Sequence, residues 1–311
     1  MGATRHGGRR THRERVDIDP AGDCDLMTAA FVSFAQNFED VMLWRALKHV
    51  EHGFYIDVGA YSPMEHSVTQ AFYERGWRGI NIEPHPDYHR EFVIARPRDT
   101  NLKVAAGDRT ADLTMHFVRD TGLSTLDETQ AQQRVREGRS VVREQVHVDT
   151  LASIWAEHVA RDQPVHFLKV DVEGFERQVL LGNDWGAHRP WIVVVEATQP
   201  MSTKPSYQGW EGTLTSAGYF FVYGDGLNRF YVANEHQDLS TAFEHPPNVF
   251  DEFVRVSEVE ATERATRAEA WATGAEAALT AIQATRSWRM TGPLRAAARL
   301  ARSARAAMER P

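Results

Sequence analysis

One cysteine stands in 311 residues, Cys24, within a polar stretch near the N-terminus. A disulfide framework inside the chain is therefore excluded, and a reducing compartment is the expectation. The histidines, among them His66, His85, His147 and His166, show no ligand spacing that would point to zinc. Long apolar runs are missing too: no stretch approaches the roughly 18 residues that a membrane-spanning helix needs. The early arginines Arg5, Arg9, Arg10, Arg13 and Arg15 are not followed by the apolar segment of a signal peptide. Positive charge is in deficit, with 35 Lys and Arg against 43 Asp and Glu and a formal net charge of −8. Such a chain carries no general footprint for nucleic acid. The expectation is a cytoplasmic protein with no transmembrane segment and no nucleic-acid partner.

What is present divides into three regimes. Residues 1–28 are rich in Arg, His, Gly and Asp without apolar periodicity and read as a disordered leader. Residues 29–248 carry the pattern of one folded domain, and 249–311 that of a helical tail. Within the domain, Val41 to Leu47 forms an apolar stripe at helical spacing, placed as a helix capping a sheet. Short apolar runs follow at Phe54–Val58, Gly79–Glu83, Leu102–Ala105, Phe167–Val172 and Trp191–Glu196, with helical segments such as Val68–Arg75 and Phe175–Leu181 between them. Nearly continuous β-branched and aromatic runs are expected of strands buried on both faces, and their alternation with helices predicts a Rossmann-like, doubly wound α/β fold with a mostly parallel sheet. Tyr219–Tyr223 and Arg229–Ala233, joined through Gly224–Asn228, read as a terminal antiparallel hairpin.

The chemistry gathers where these runs end. Asp57-Val58-Gly59-Ala60 closes the first strand and Glu83-Pro84 the second, 26 residues after Asp57. One strand-helix-strand unit brings both to the same sheet edge, where a terminal acid can accept hydrogen bonds from both hydroxyls of a ribose. The G-x-G-x-x-G fingerprint is absent, since Gly59 is followed by Tyr61, Pro63 and Met64. A pyrophosphate needs close backbone approach at several points, so a dinucleotide is disfavoured and S-adenosylmethionine, which has no phosphate, fits better. Val104-Ala105-Ala106-Gly107-Asp108 supplies small side chains beside a flat ring, with Asp108 able to accept from an exocyclic amine. Phe167 to Glu176 carries the densest polar cluster. Strand alternation would put Lys169, Asp171 and Glu173 on one side, to take a proton from an acceptor hydroxyl or, through Asp171, to hold a divalent cation such as Mg²⁺. A self-satisfied ion pair of Lys169 with an acid is the plainer alternative. Glu196, a second acid at that edge, reads as a substrate-binding residue.

The tail changes sign along its length. Glu252, Glu258, Glu260, Glu263, Glu269 and Glu276 sit among Ala, Val and Thr, and then Arg286, Arg289, Arg295, Arg299, Arg302, Arg305 and Arg310 face Glu309 alone. One long helix, a break near Thr291-Gly292-Pro293 and a short basic helix are expected. A solvated tail and a docking element, for a second copy, a glycan-assembly partner or an anionic surface, are the two readings of this segment.

The stretch Phe54–Glu196 resembles the FkbM-type methyltransferases, S-adenosylmethionine-dependent O-methyltransferases of natural-product and glycan pathways. The likeness rests on Tyr55–Ala60, Phe72–Pro84, Ala105–Asp108 and above all Leu168–Glu176, with Ser124–Leu126 and Val148–Leu151 in matching order. It implies a class I methyltransferase fold in which Asp57, Gly59, Ala60, Glu83, Pro84, Ala106 and Asp108 bind or adjoin the cofactor. Asp171 and Glu173, with Lys169, would then stand at the reaction centre. Many members carry Asn and a further Gly after the Gly-Ala pair, where this chain has Tyr61-Ser62-Pro63. Ser287–Arg295 resembles a C-terminal signature of bacterial polysaccharide-assembly enzymes, which implies a sugar or glycan hydroxyl as acceptor. A nucleotide-sugar oxidoreductase and a catalytically weak methyltransferase-like scaffold in a glycan-assembly complex stand as the alternatives.

Overall fold

The computed structural model describes residues 30–118 and 124–308. The expected leader, with Cys24, lies outside them. The chain forms one compact unit that ends at Val254 and a second that begins at Arg255.

The first unit is mixed α/β, and its main sheet has seven strands. In chain order these are β2 (Phe54–Val58), β3 (Arg78–Ile82), β4 (Thr100–Leu102), β8 (Phe167–Val170), β9 (Ile192–Glu196), β10 (Tyr219–Gly224) and β11 (Asn228–Ala233), ordered across the sheet as β10-β11-β9-β8-β2-β3-β4. β4, β3, β2, β8 and β9 run parallel, while β11 pairs antiparallel with β9 and with β10. A short strand β1 (Phe31–Ser33) lies outside this sheet, and three further strands, β5 to β7, build a second one. In the main sheet the hairpin expected from the Gly224–Asn228 turn is present, with a register shift between Phe221 and Tyr223.

Strand alternation assigns each face its cover. Ile56, Val58, Ile80, Ile82, Leu168, Val170, Val193 and Val195 pack into one core with Leu151 and Ile154 of one helix and Val179 and Leu180 of another. Tyr55, Phe167, Ile192 and Val194 point the other way, onto Met42, Leu43 and Leu47 of the helix α1 (Glu39–Leu47) and onto Phe72. With both faces covered, the central strands read as continuous apolar runs, as parallel strands do.

The expected third strand over Leu102–Ala105 is not one element. The main-sheet strand stops at Leu102, and Ala105–Gly107 forms β5 of a separate three-stranded sheet with β6 (Ala111–Val118) and β7 (Val141–Thr150). Small side chains permit the switch: a Cβ on Gly107 would lie 2.8 Å from Val148 Cγ1, so only glycine lets β7 pair this closely. The mixture of polar and apolar residues in Val141–Thr150, exposed or half-buried along most of its length, hid that strand from a reading based on apolar runs.

The second unit is helical: Val256–Ala284, Arg286–Met290 and Gly292–Met308. The single break expected near Thr291 is joined by another at Thr285, which turns extended (φ −64°, ψ 147°) and caps the next helix by accepting from the N–H of Trp288 at 3.2 Å. The basic helix is 17 residues long rather than short. Among the described residues no helix is long and apolar enough to cross a membrane.

Candidate active site

The carboxyl ends of β2 and β8 meet at a glycine. Gly59 has φ 75°, and a Cβ built there would lie 1.8 Å from the carbonyl oxygen of Asp171. No other residue fits this approach or this backbone angle without moving one of the loops. Gly59 and Ala60 donate their N–H groups to Ile82 O, which ties the turn to β3 as well.

Asp57 and Lys169 lie side by side in the register of β2 and β8, on the face opposite the valine and isoleucine core. Asp57 is 1% exposed; it accepts from Thr69 Oγ1 at 3.2 Å and faces Lys169 Nζ at 3.4 Å. Lys169 also donates to Gly59 O at 2.9 Å and stands 3.5 Å from Asp171 Oδ2. Burial disfavours its charge, but Asp57 and Asp171 outweigh burial and hold the ammonium above its ordinary range. The structure thus makes Asp57 the brace of Lys169 rather than part of a cavity wall.

Glu83 follows the last residue of β3 and is buried. Its carboxylate accepts from the backbone N–H of Tyr61 at 2.8 Å and of His85 at 2.7 Å. Burial pushes it up to about 7, against the lowering effect of those two donors. It borders a cavity whose walls include Gly59, Tyr61, Pro84, Tyr88, Ala105, Ala106, Met115 and Phe175. Ala105 and Ala106 leave an apolar slot, and the Tyr61 ring packs edge-on against Tyr88 with centroids 4.7 Å apart. Asp108 does not reach this lining; it lies past the end of β5, exposed, 3.4 Å from Arg109. Ala60 faces a different space.

That space is a second, wider cavity, lined by Glu39, Ala60, Glu65, His66, Lys169, Glu196, Thr198 and Asn228. Gly59, Tyr61, Asp171 and Glu173 border both cavities. Here the strand does not continue as expected: β8 stops at Val170, and Glu173 sits at φ 52°, so it joins Lys169 and Asp171 through a turn and not through alternation. The turn is anchored by Glu176, which accepts from the N–H groups of Val172 at 3.1 Å and Gly174 at 3.0 Å, and by Thr125, which donates to Glu173 O at 2.9 Å. Buried Arg134 stands 3.9 Å from Glu173 Oε2, sharing its charge with Glu137.

The acids here are crowded. Burial raises the Glu173 carboxyl above its ordinary range, with Asp171 adding to the effect. Burial also raises Glu196, helped by Asp171, Glu173 and Glu176. Glu173 Oε2 and Glu196 Oε2 are buried and make no hydrogen bond. Tyr61, His66, Glu173 and Met201, all on this wall, hold left-handed backbone angles that cost non-glycine residues about 1 to 3 kcal/mol each.

Residues 57–221 match a family model described as the methyltransferase FkbM domain. The chain belongs to that family. The matched span opens on Asp57 itself and contains every acid at the junction of the cavities except Glu39 in α1. No curated protein matches the chain. Among solved structures, a Klebsiella pneumoniae protein described as an O-methyltransferase overlaps 70% of this chain and 92% of its own, at 10% identity and a TM-score of 0.30. For this FkbM-family methyltransferase, sequence motifs pointed to Gly59, Glu83, Pro84, Ala106, Lys169, Asp171, Glu173 and Glu196 on the cavity walls. They missed Tyr88 and Met115, which lie in segments without a local signature, and Asn228, which was read only as part of the hairpin turn.

Proposed function

We propose that the chain is an S-adenosylmethionine-dependent O-methyltransferase of class I type, acting on a hydroxyl of a sugar, glycan or related metabolite. One observation carries the reading: an apolar cavity with a buried acid at its rim shares Gly59 and Asp171 with an adjoining cavity walled by carboxylates.

The residues present fit the cofactor. Glu83 has spent two acceptor sites on backbone N–H groups and, as a carboxylate with about four, keeps capacity for ribose hydroxyls. Ala105, Ala106 and Met115 leave a flat apolar slot for an adenine, and Gly59 gives the backbone approach that a side chain would block. When bound, S-adenosylmethionine supplies a methyl carbon on a sulfonium that an oxygen nucleophile displaces, leaving S-adenosylhomocysteine.

On the other side Glu196 and Asn228 hold the acceptor, and Asp171 or Glu173 takes the hydroxyl proton as the oxygen becomes nucleophilic. Glu173, raised by burial and with Oε2 free of any hydrogen bond, takes the proton, and Asp171, fixed by Lys169, orients the hydroxyl. Holding the oxygen about 3 Å from its target supplies much of the remaining acceleration.

Calorimetry on the full chain tests the reading. S-adenosylhomocysteine is expected to bind at one site and NAD to give no heat. Failure of S-adenosylhomocysteine to bind folded protein overturns it, and NAD binding in its place would favour an oxidoreductase.

A further inference from the structure

We infer that Asp171, Glu176 and Glu196 form a site for a hard divalent cation, which takes oxygens of the acceptor as its remaining ligands. The inference deepens the proposed function by naming the acceptor class, and in that respect it rests on that reading; the cation site itself does not.

Three facts converge. First, the three carboxylates each bring one oxygen within 4.8 Å of the others, the span across an ion whose oxygen ligands lie at about 2.4 Å on either side. They come from three different places, the loop after β8, the first turn of the helix Glu176–Leu181 and the end of β9, so the convergence is tertiary and not a local run of acids.

Second, the group is incomplete without a positive partner. Glu196 is 7% exposed, and its Oε2 is buried on the cavity wall with no hydrogen bond. Thr198, two residues on, is 6% exposed and lines the same cavity, and its hydroxyl is likewise buried and unpartnered. A buried carboxyl oxygen and a buried hydroxyl left unpaired each cost on the order of 1 to 3 kcal/mol, so two such atoms on residues that border one cavity call for a ligand there.

Third, the cations nearby are committed. Lys169 is held by Asp57, Asp171 and Gly59 O, and Arg134 is divided between Glu137 and Glu173. Among the described residues neither cation is in ion-pair contact with Glu176 or Glu196, so a divalent ion is the partner their oxygens can take. An all-oxygen donor set selects Mg²⁺, Mn²⁺ or Ca²⁺ over softer metals. Glu176 still has the capacity, because its two backbone donors use only part of its lone pairs.

Of its three ligands Asp171 borders both cavities and Glu196 the second, while Glu176 lies behind them, so an ion here would be reached from the second cavity. Open coordination positions on that side favour acceptors that present two adjacent oxygens, a vicinal diol or a hydroxyl beside a carbonyl.

The test uses Mn²⁺ as the probe, followed by electron paramagnetic resonance of the free ion, with the full chain and with S-adenosylhomocysteine present. One Mn²⁺ per chain is expected, competed by Mg²⁺ and Ca²⁺, and Glu196→Gln should raise its Kd at least about tenfold. Retained S-adenosylhomocysteine binding in Glu196→Gln certifies the fold of the variant. No Mn²⁺ uptake at millimolar ion overturns the inference, as does uptake that Glu196→Gln leaves unchanged. If glucosamine, but not glucose, raises the melting temperature while Mn²⁺ does not bind, the positive partner is an ammonium on the acceptor and the metal site is wrong. Loss of S-adenosylhomocysteine binding in the unmodified chain would count against the methyltransferase reading alone, because Mn²⁺ uptake is read independently.

Discussion

The two cavities that share Gly59, Tyr61, Asp171 and Glu173 are built on opposite terms. On the apolar side Glu83, the acid not shared with the other cavity, has both oxygens engaged by backbone donors, and its neighbours are alanines, a methionine and aromatic rings. On the other side acids crowd one another, two of their oxygens are buried without a hydrogen bond, and the wall adds His66 and Met201 to the left-handed residues Tyr61 and Glu173 that both cavities share. The first surface is satisfied before anything binds. The second stores unfavourable free energy that an incoming ligand relieves, which is the usual condition of a reacting site and an uncommon one for a structural pocket. Sheet geometry separates them: Val58 and Ile82 point to one face, Asp57, Lys169 and Glu196 to the other, and only the loops beyond the strands reach both.

The change with the largest expected effect strikes the shared point. In Gly59→Ala the new Cβ meets Asp171 O at 1.8 Å and the backbone stays at φ 75°. Relief requires the loops after β2 and β8 to part, which would spoil both cavities together. Stability should fall by about 2 to 4 kcal/mol in denaturant unfolding, and S-adenosylhomocysteine affinity by roughly 100-fold or more. Native affinity in this variant would mean that the loops are not held as close as the structure has them.

Next in size comes a change confined to the acidic side. Asp171→Asn keeps the shape and removes the charge that faces Lys169, so the acceptor hydroxyl loses its orienting group and methyl transfer to a productive sugar should drop by roughly 10²-fold. S-adenosylhomocysteine affinity should stay within about threefold. A parallel loss of affinity and turnover would erase the division of labour between the cavities.

How much of this was legible in the sequence follows from the same division. Elements whose signal is a continuous apolar run, β2, β3, β8 and β9, could be read directly, and so could the acids that end them. The three-stranded sheet could not, because Val141–Thr150 sets the polar run Arg143, Glu144 and Gln145, then His147, among its valines over a half-exposed surface. The role of Asp57 was also beyond reach: whether an acid at a strand end faces a ligand or a lysine depends on which strand lies beside it, and β8 follows more than 100 residues later. The turn at Glu173 was hidden for a different reason, since a positive φ at a non-glycine residue has no marker in the residue type.

The smallest expected effect belongs to the apolar side and is a pH dependence. Glu83 is pushed up to about 7 by burial, so near neutrality the unliganded protein holds it partly protonated. Ribose hydroxyls donate to the ionised form, so binding draws out the proton and the carboxyl in the complex titrates lower. The sign follows: affinity is at its plateau above about pH 7 and weakens as pH falls through that value, by up to about tenfold per unit until the carboxyl of the complex also protonates. Calorimetric titration with S-adenosylhomocysteine between pH 5.5 and 8.5 reads the slope. Glu83→Gln removes the titrating group while keeping an acceptor oxygen, and its affinity should be weaker than the native plateau and flat across the range. If the slope persists in that variant, the proton belongs to another group, and the candidates are Glu173 and Glu196 on the far wall and Glu176 behind it, all raised by burial. Proton release measured in two buffers of different ionisation enthalpy would then show that the two cavities titrate as one, and the contrast between a satisfied side and an unsatisfied side would have to be given up.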